Sequence, residues 1–230
     1  MKEDGSLALR RYPRRQLSDE VADHVRELIM RGRLRSGDFI RQERIADELG
    51  LSPTPVREGL RLLRGEGFVE LLPRRGFVVA PLSANDVRDL VTAQELLAGE
   101  LVYRAAQRIG DDDLRALRQV HEDTRKAVAS EYSPGIEKLH HDFHRGINLA
   151  AAAPRLAWML SISTRFAPRR FYSSIPEWNT ASVEDHAEIL AALADHDGNR
   201  ARSAMMRHME NAGELLMTHF AAAQASDRTP

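Results

Sequence analysis

The sequence predicts a mainly helical chain in two parts: three short helices closed by a β-hairpin, then an all-helical antiparallel bundle. Three observations carry this. Apolar residues recur at helical spacing on either side of Gly50-Leu51-Ser52. Two β-rich runs, Phe68–Leu72 and Gly76–Ala80, flank the basic tip Pro73-Arg74-Arg75. Beyond Pro81 the pattern is helical, with Gly or Pro breaks and no two-residue alternation.

Residues 1–16 carry Arg10, Arg11, Arg14 and Arg15 around Tyr12-Pro13 and read as a flexible arm, either solvated or touching phosphates. From Ser18, Val21, Val25, Leu28 and Ile29 form one helical stripe, with Asp19 and Glu20 in the first turn where the helix dipole favours them. Gly32 and Ser36-Gly37 end it, and GRLRSGDFI connects onward. Ile45, Ala46 and Leu49 give the second helix one apolar face, and Gly50 stops it. Ser52 is placed as N-cap with Pro53 at N1, where its missing N–H costs nothing. Val56, Leu60 and Leu63 face inward on the third helix, which leaves Thr54, Arg57 and Arg61 outward; Gly65 and Gly67 close it. Helix, turn, helix and hairpin in this order outline a winged helix-turn-helix over residues 17–80. Short polar residues and Arg at a helix start suit phosphate oxygens and base edges, both of which accept hydrogen bonds.

The net charge of −1 hides an asymmetry: residues 1–80 hold 16 Lys and Arg against 13 Asp and Glu, and the rest holds 17 against 21. The basic excess therefore lies in the half that would meet nucleic acid. With no Cys, disulfides and thiolate chemistry are excluded. No apolar run approaches the ~20 residues that span a bilayer, and the polar N-terminus is unlike a secretory signal. A cytoplasmic protein with no membrane partner is expected.

Residues 81–85 read as a linker and 224–230 as a tail. Between them, residues 86–223 form the bundle, with a capping box at Ser83 and Asp86. Six helices are expected, at about 84–109, 111–130, 134–152, 155–166, 182–196 and 199–223, separated by Gly110, Ser133-Pro134, Pro154, Pro168–Thr180 and Asp197-Gly198. The Pro168–Thr180 segment, with two prolines and three aromatics, reads as a broken helix lidding the bundle. Of the nine histidines, His140 and His144 are an i, i+4 pair on one face, while His186 and His208 lie on later helices. Three antiparallel helices could converge these four imidazoles on one divalent transition ion, Zn²⁺ or Ni²⁺ before others; alternatively they are scattered core and surface positions. His24, His121, His141, His196 and His219 read as surface or capping residues, with His219 explained by the dipole of its helix C-terminus.

Two resemblances sharpen these readings. LSPTPVREGL followed by EGFVE and PRRGFVV resembles the DNA-binding domain of the GntR superfamily of bacterial transcriptional regulators, over about residues 15–80. It implies DNA contacts at Arg44, Ser52, Thr54, Arg57, Arg75 and Gly76, beside the outward Arg61. Pro53 stands where relatives often carry Arg, a departure that bears on the operator sequence. Residues 84–223 resemble the all-helical FCD-type effector domain of the FadR branch, in which FHRGI, EDHAEIL and MRHM match metal-ligand motifs. That resemblance implies His140, His144, His186 and His208 as ligands, although the family usually has Asp where His140 stands. Asp142 would point to another face. The Arg that relatives use to pair an effector carboxylate aligns with Gln94, leaving Arg165 and Arg169 as candidate substitutes. The expected function is a homodimeric repressor that binds a double-stranded operator and releases it under control of a small metabolite, an organic acid, held in a metal-containing pocket. It would not be an enzyme. The alternatives are a metal-dependent enzyme with a DNA-binding-like appendage, and a constitutive repressor with a structural His site.

Overall fold

The computed structural model describes residues 16–130, 135–167, 171–172 and 175–225. The arm up to residue 15, the Ser133-Pro134 break, Arg169 and residues 226–230 of the tail lie outside them. The described residues divide into two compact units: one of residues up to 29 and 33–81, the other of 30–32 and 82 onward.

The first unit holds α1 (Leu17–Met30), β1 (Phe39–Ile40), α2 (Gln42–Leu49), α3 (Pro53–Gly65), β2 (Val69–Leu72) and β3 (Gly76–Val79). Val21, Val25, Val56, Leu60, Leu63, Phe68 and Phe77 fill its core. Gly59 is where α1 and α3 meet: a Cβ there would stand 2.7 Å from Val21 Cγ1 and 2.8 Å from the Ser18 carbonyl, a backbone approach only glycine allows. The buried Arg26 is held by Asp23 at 2.5 Å and Glu66 at 2.6 Å, so its charge is compensated where it leaves water. Gly50 takes the left-handed conformation with φ 64°, which ends α2 as its sequence implies.

The hairpin expected from sequence is one strand short. β1 pairs with β3 on the side opposite β2, giving an antiparallel sheet of order β1-β3-β2 with Ile40 facing Phe77. Two residues are too few to show an alternation, and it is Ile40's burial against the third strand that makes them a strand.

The second unit holds α4 (Ala84–Ala106), α5 (Asp111–Ala129), α6 (Ile136–Ala150), α7 (Pro154–Ser163) with a 3₁₀ turn at Thr164–Phe166, α8 (Pro176–Ala194) and α9 (Gly198–Ala225). The capping box at Ser83 is present: Asp86 N–H donates to Ser83 Oγ at 3.2 Å, and Ser83 N–H donates back to Asp86 Oδ2 at 2.7 Å. α4 thus begins inside the stretch read as linker. Leu101, Val102, Phe143, Ile147, Ile189, Leu193 and Met205 form the shared core. α4 and α9 run antiparallel in close contact. A Cβ on Gly99 would stand 2.9 Å from Met206 Cγ and one on Gly198 2.7 Å from the Tyr103 ring, while one on Gly213 would overlap Val91.

One helix boundary needs correction. α8 starts at Pro176, six residues before the expected 182, because Pro at N1 is a helix start rather than a break. Among the described residues the supposed lid is therefore partly the first turn of α8, and Trp178 is buried there. No helix of the described residues is long and apolar enough to cross a membrane.

Candidate metal centre and nucleic-acid interface

α6 presents His140 and His144 one turn apart, α8 presents His186, and α9 presents His208. One donor atom from each lies within 4.8 Å of the other three. The two groups on α6 meet the others because Phe143 and Ile147, on the adjoining stripe, are buried in the core. His186 and His208 are fully buried, His140 and His144 half-buried. His186 stacks on Phe143 with ring centroids 3.9 Å apart and planes 12° apart, and Trp178 lies against His208 at 5.1 Å.

Hydrogen bonds fix one tautomer. His208 Nδ1 is 3.1 Å from Asp185 Oδ2, a carboxylate that only accepts, so Nδ1 carries the proton and Nε2 keeps its lone pair. That Nε2 faces His144 Nε2 at 3.2 Å. The bond from His208 and the contact with Asn211 hold the Asp185 carboxyl below its ordinary pKa. A carboxylate behind a histidine, orienting its other nitrogen, is the outer-shell arrangement of metal sites. Burial pushes His140 down to about 3 and, with the neighbouring imidazoles, His144 and His186 well below the usual histidine range. These three rings are therefore neutral at pH 7, the form that binds metals.

The donor set fits an ion. His140 Nε2 and both nitrogens of His186 are buried without a hydrogen-bond partner, and orphaned polar atoms of this kind are costly unless something uses them. Four imidazole nitrogens suit Zn²⁺ or Ni²⁺, and their span is one that side-chain adjustment around a single ion can close. Asp142 instead pairs with Lys138 on the outer side of α6.

The Gln94 amide donates to the Ser163 carbonyl at 2.9 Å, tying α4 to the end of α7, and Arg165 is exposed on the 3₁₀ turn. Two readings of single residues are overturned, and one residue was missed. His219 is not a dipole-stabilised cation: α9 continues to Ala225, its ring packs on Phe171 at 4.7 Å, and burial lowers its pKa. His121 is not a surface residue: its Nδ1 is buried without a partner, and burial lowers its pKa. Ser182, unnoticed in the sequence, is buried with an unpartnered hydroxyl. Only its i+4 spacing to His186 could have pointed to it. The capping role of His196 holds, since its Nδ1–H donates to the Ala106 carbonyl at 2.8 Å.

On the first unit, Ser52 is the N-cap of α3 in extended conformation, but its hydroxyl makes no capping bond and is left for another acceptor or donor. Thr54 and Arg57 are exposed, and no ion pair engages Arg57 among the described residues. Arg61 pairs with Glu58, and Arg44 with Glu48, each at 2.8 Å. Such exposed pairs are weak enough to exchange for phosphates. At the hairpin tip, Arg75 stacks over Phe39 at 5.0 Å. Gly76 has φ 93°, a conformation strained for any side chain, and Arg74 beside it takes φ 63°. Arg74 thus takes its place in the basic tip beside Arg75.

Comparison with known proteins decides the family. Residues 17–79 match the gntR family of bacterial regulatory proteins, and residues 89–211 match the FCD domain. The chain belongs to the GntR family, with an FCD domain. The Nta operon transcriptional regulator of Aminobacter aminovorans is 30% identical to this GntR chain over 182 residues, 76% of this chain and 83% of the relative. The Uxu operon transcriptional regulator of Escherichia coli is 26% identical over 220 residues, covering 86% of each. Among solved structures, E. coli McbR/YncC superposes with a TM-score of 0.68 at 22% identity, covering 89% of this chain and 99% of that one, a likeness of fold. This GntR protein is a DNA-binding transcriptional regulator and not an enzyme, which removes the metalloenzyme reading.

Proposed function

We propose that this GntR regulator is a cytoplasmic homodimeric repressor whose operator affinity is set by a small organic acid bound beside a Zn²⁺ or Ni²⁺ ion in the FCD domain. Arg44, Ser52, Thr54, Arg57, Arg61, Arg75 and Gly76 contact the operator. His140, His144, His186 and His208 hold the ion, with Gln94 and Arg165 at the margin of the effector pocket. The observation that carries the reading is the convergence of four imidazoles from three helices, three of their nitrogens buried without partners. Relatives named for the operons they regulate support operator control, and two-fold pairing matches the symmetry of palindromic operators. An effector acts here only through a difference in its affinity for the DNA-competent and DNA-incompetent states.

The test is the metal content of untagged protein purified without chelator, beside a His144→Ala/His186→Ala variant. About one ion per chain, lost in the variant, is expected for a four-ligand site. Absence of metal from both proteins would refute the metal centre. Bound metal with an operator affinity that no organic acid alters would make the site structural and the repressor constitutive.

A further inference from the structure

The unused hydroxyl of Ser182 lies where an effector of the proposed kind would sit. Ser182 is 3% exposed and its Oγ is buried without a partner. A Ser or Thr inside a helix ordinarily returns its hydroxyl to the carbonyl four residues back. Thr92, Thr124, Ser203 and Thr218 do so here, at 3.0, 2.8, 3.1 and 2.9 Å. Ser182 makes no such bond to Trp178, so its donor is available at a cost to the fold. Trp178, Ser182 and His186 follow at four-residue steps along the buried face of α8. Ser182 therefore stands one helical turn from a cluster residue and one turn from Trp178, whose ring lies 5.1 Å from His208 and 6.4 Å from His140.

Charge indicates what it would bind. A divalent ion held by four imidazole nitrogens has no carboxylate among its donors to offset its charge, because Asp185 stands behind His208. Such a site attracts an anion. Arg207 is paired with Glu188 and Lys138 with Asp142, and Arg165 is exposed on the 3₁₀ turn, so the buried donor offered to the anion is a neutral one.

We propose that Ser182 is an effector-binding residue that donates its hydroxyl hydrogen to the carboxylate of a small organic acid lying beside the histidine cluster on the α8 side. This rests on the metal centre proposed above. It assigns to a neutral serine the recognition that an Arg provides in relatives.

The test uses the full-length protein loaded with Co²⁺, whose visible absorption reports its ligands, titrated with acetate as probe. Wild type is expected to show a saturable spectral change. Ser182→Ala should bind Co²⁺ in the same ratio, with the same spectrum before acetate, and bind acetate at least about 10-fold more weakly, the loss of a hydrogen bond to a charged group. Equal acetate affinities in the two proteins would overturn the role of Ser182. An unchanged wild-type spectrum with Co²⁺ bound would overturn the carboxylate. Failure of wild type to bind Co²⁺ would instead overturn the underlying metal centre.

Discussion

Replacing His186 by Leu, a change that roughly conserves volume, should stabilise the metal-depleted protein while abolishing its response to metal. Both ring nitrogens of His186 are buried without partners, and each such group costs about 1–3 kcal/mol. Removing the ring forfeits its stacking on Phe143 at 3.9 Å, worth about 0.5–1.5 kcal/mol. The balance is a gain of roughly 1–5 kcal/mol, which at about 2–4 °C per kcal/mol raises the melting midpoint by several degrees or more. Scanning calorimetry of chelator-treated full-length proteins at pH 7.5, following the transition of the bundle, reads this directly. Zn²⁺ at 100 times its dissociation constant should then stabilise wild type by about 2.7 kcal/mol and the variant by much less, so that the gap between the two midpoints shrinks or changes sign. A chelator-treated variant that melts below wild type would refute the reasoning, because the ring nitrogens would then have partners that hold the fold together.

Arg57→Ala should weaken operator binding by about 1–3 kcal/mol at fixed salt without moving the melting midpoint; an unchanged dissociation constant in a gel-shift titration would remove Arg57 from the interface. Gly213→Ala should destabilise the bundle by about 1–3 kcal/mol through overpacking against Val91, and a midpoint equal to wild type would show that α4 and α9 separate easily. Metal-depleted protein should lose stability as pH falls from 6.5 toward 3. His140 stays neutral in the fold down to about 3, while the unfolded chain takes up a proton near 6.5, so protons favour unfolding across that window and have no such effect above it. Urea titrations at pH 7.5 and 5 check the sign; equal midpoints would contradict it.

The parts of the fold set by local chemistry were legible in the sequence. Gly50, Pro53, the Ser83 capping box and the apolar stripe of α3 each act within one turn of helix, and each stands where its residue type requires. The parts set by tertiary contact were not. β1 exists through its pairing with β3, and the start of α8 depended on whether Pro176 opened a helix or interrupted one. The four-histidine cluster was legible in part: i, i+4 spacing put His140 and His144 on one face, and the resemblance to FCD motifs joined His186 and His208 to them. The burial of His121, Ser182 and His219 was not, since a polar residue on an amphipathic helix reads as surface until neighbouring helices close over it. His219 shows the cost of a local argument: a helix-end effect was assigned to a ring whose surroundings depend on Phe171, 48 positions away in sequence.

The glycines of α4 and α9 have a mechanical consequence. Gly99 receives Met206, Gly198 receives Tyr103 and Gly213 receives Val91, so three notches spaced along the pair interlock it as teeth do on a rack. Sliding by less than a full turn would drive a side chain out of its notch and onto a helix backbone, so the two helices respond to load as one beam. His208 lies on that beam between Gly198 and Gly213, whereas His140, His144 and His186 lie on α6 and α8. An ion held by the four histidines would therefore tie α6 and α8 to the stiff pair through His208, and side-chain adjustment on α6 and α8 would take up the fit.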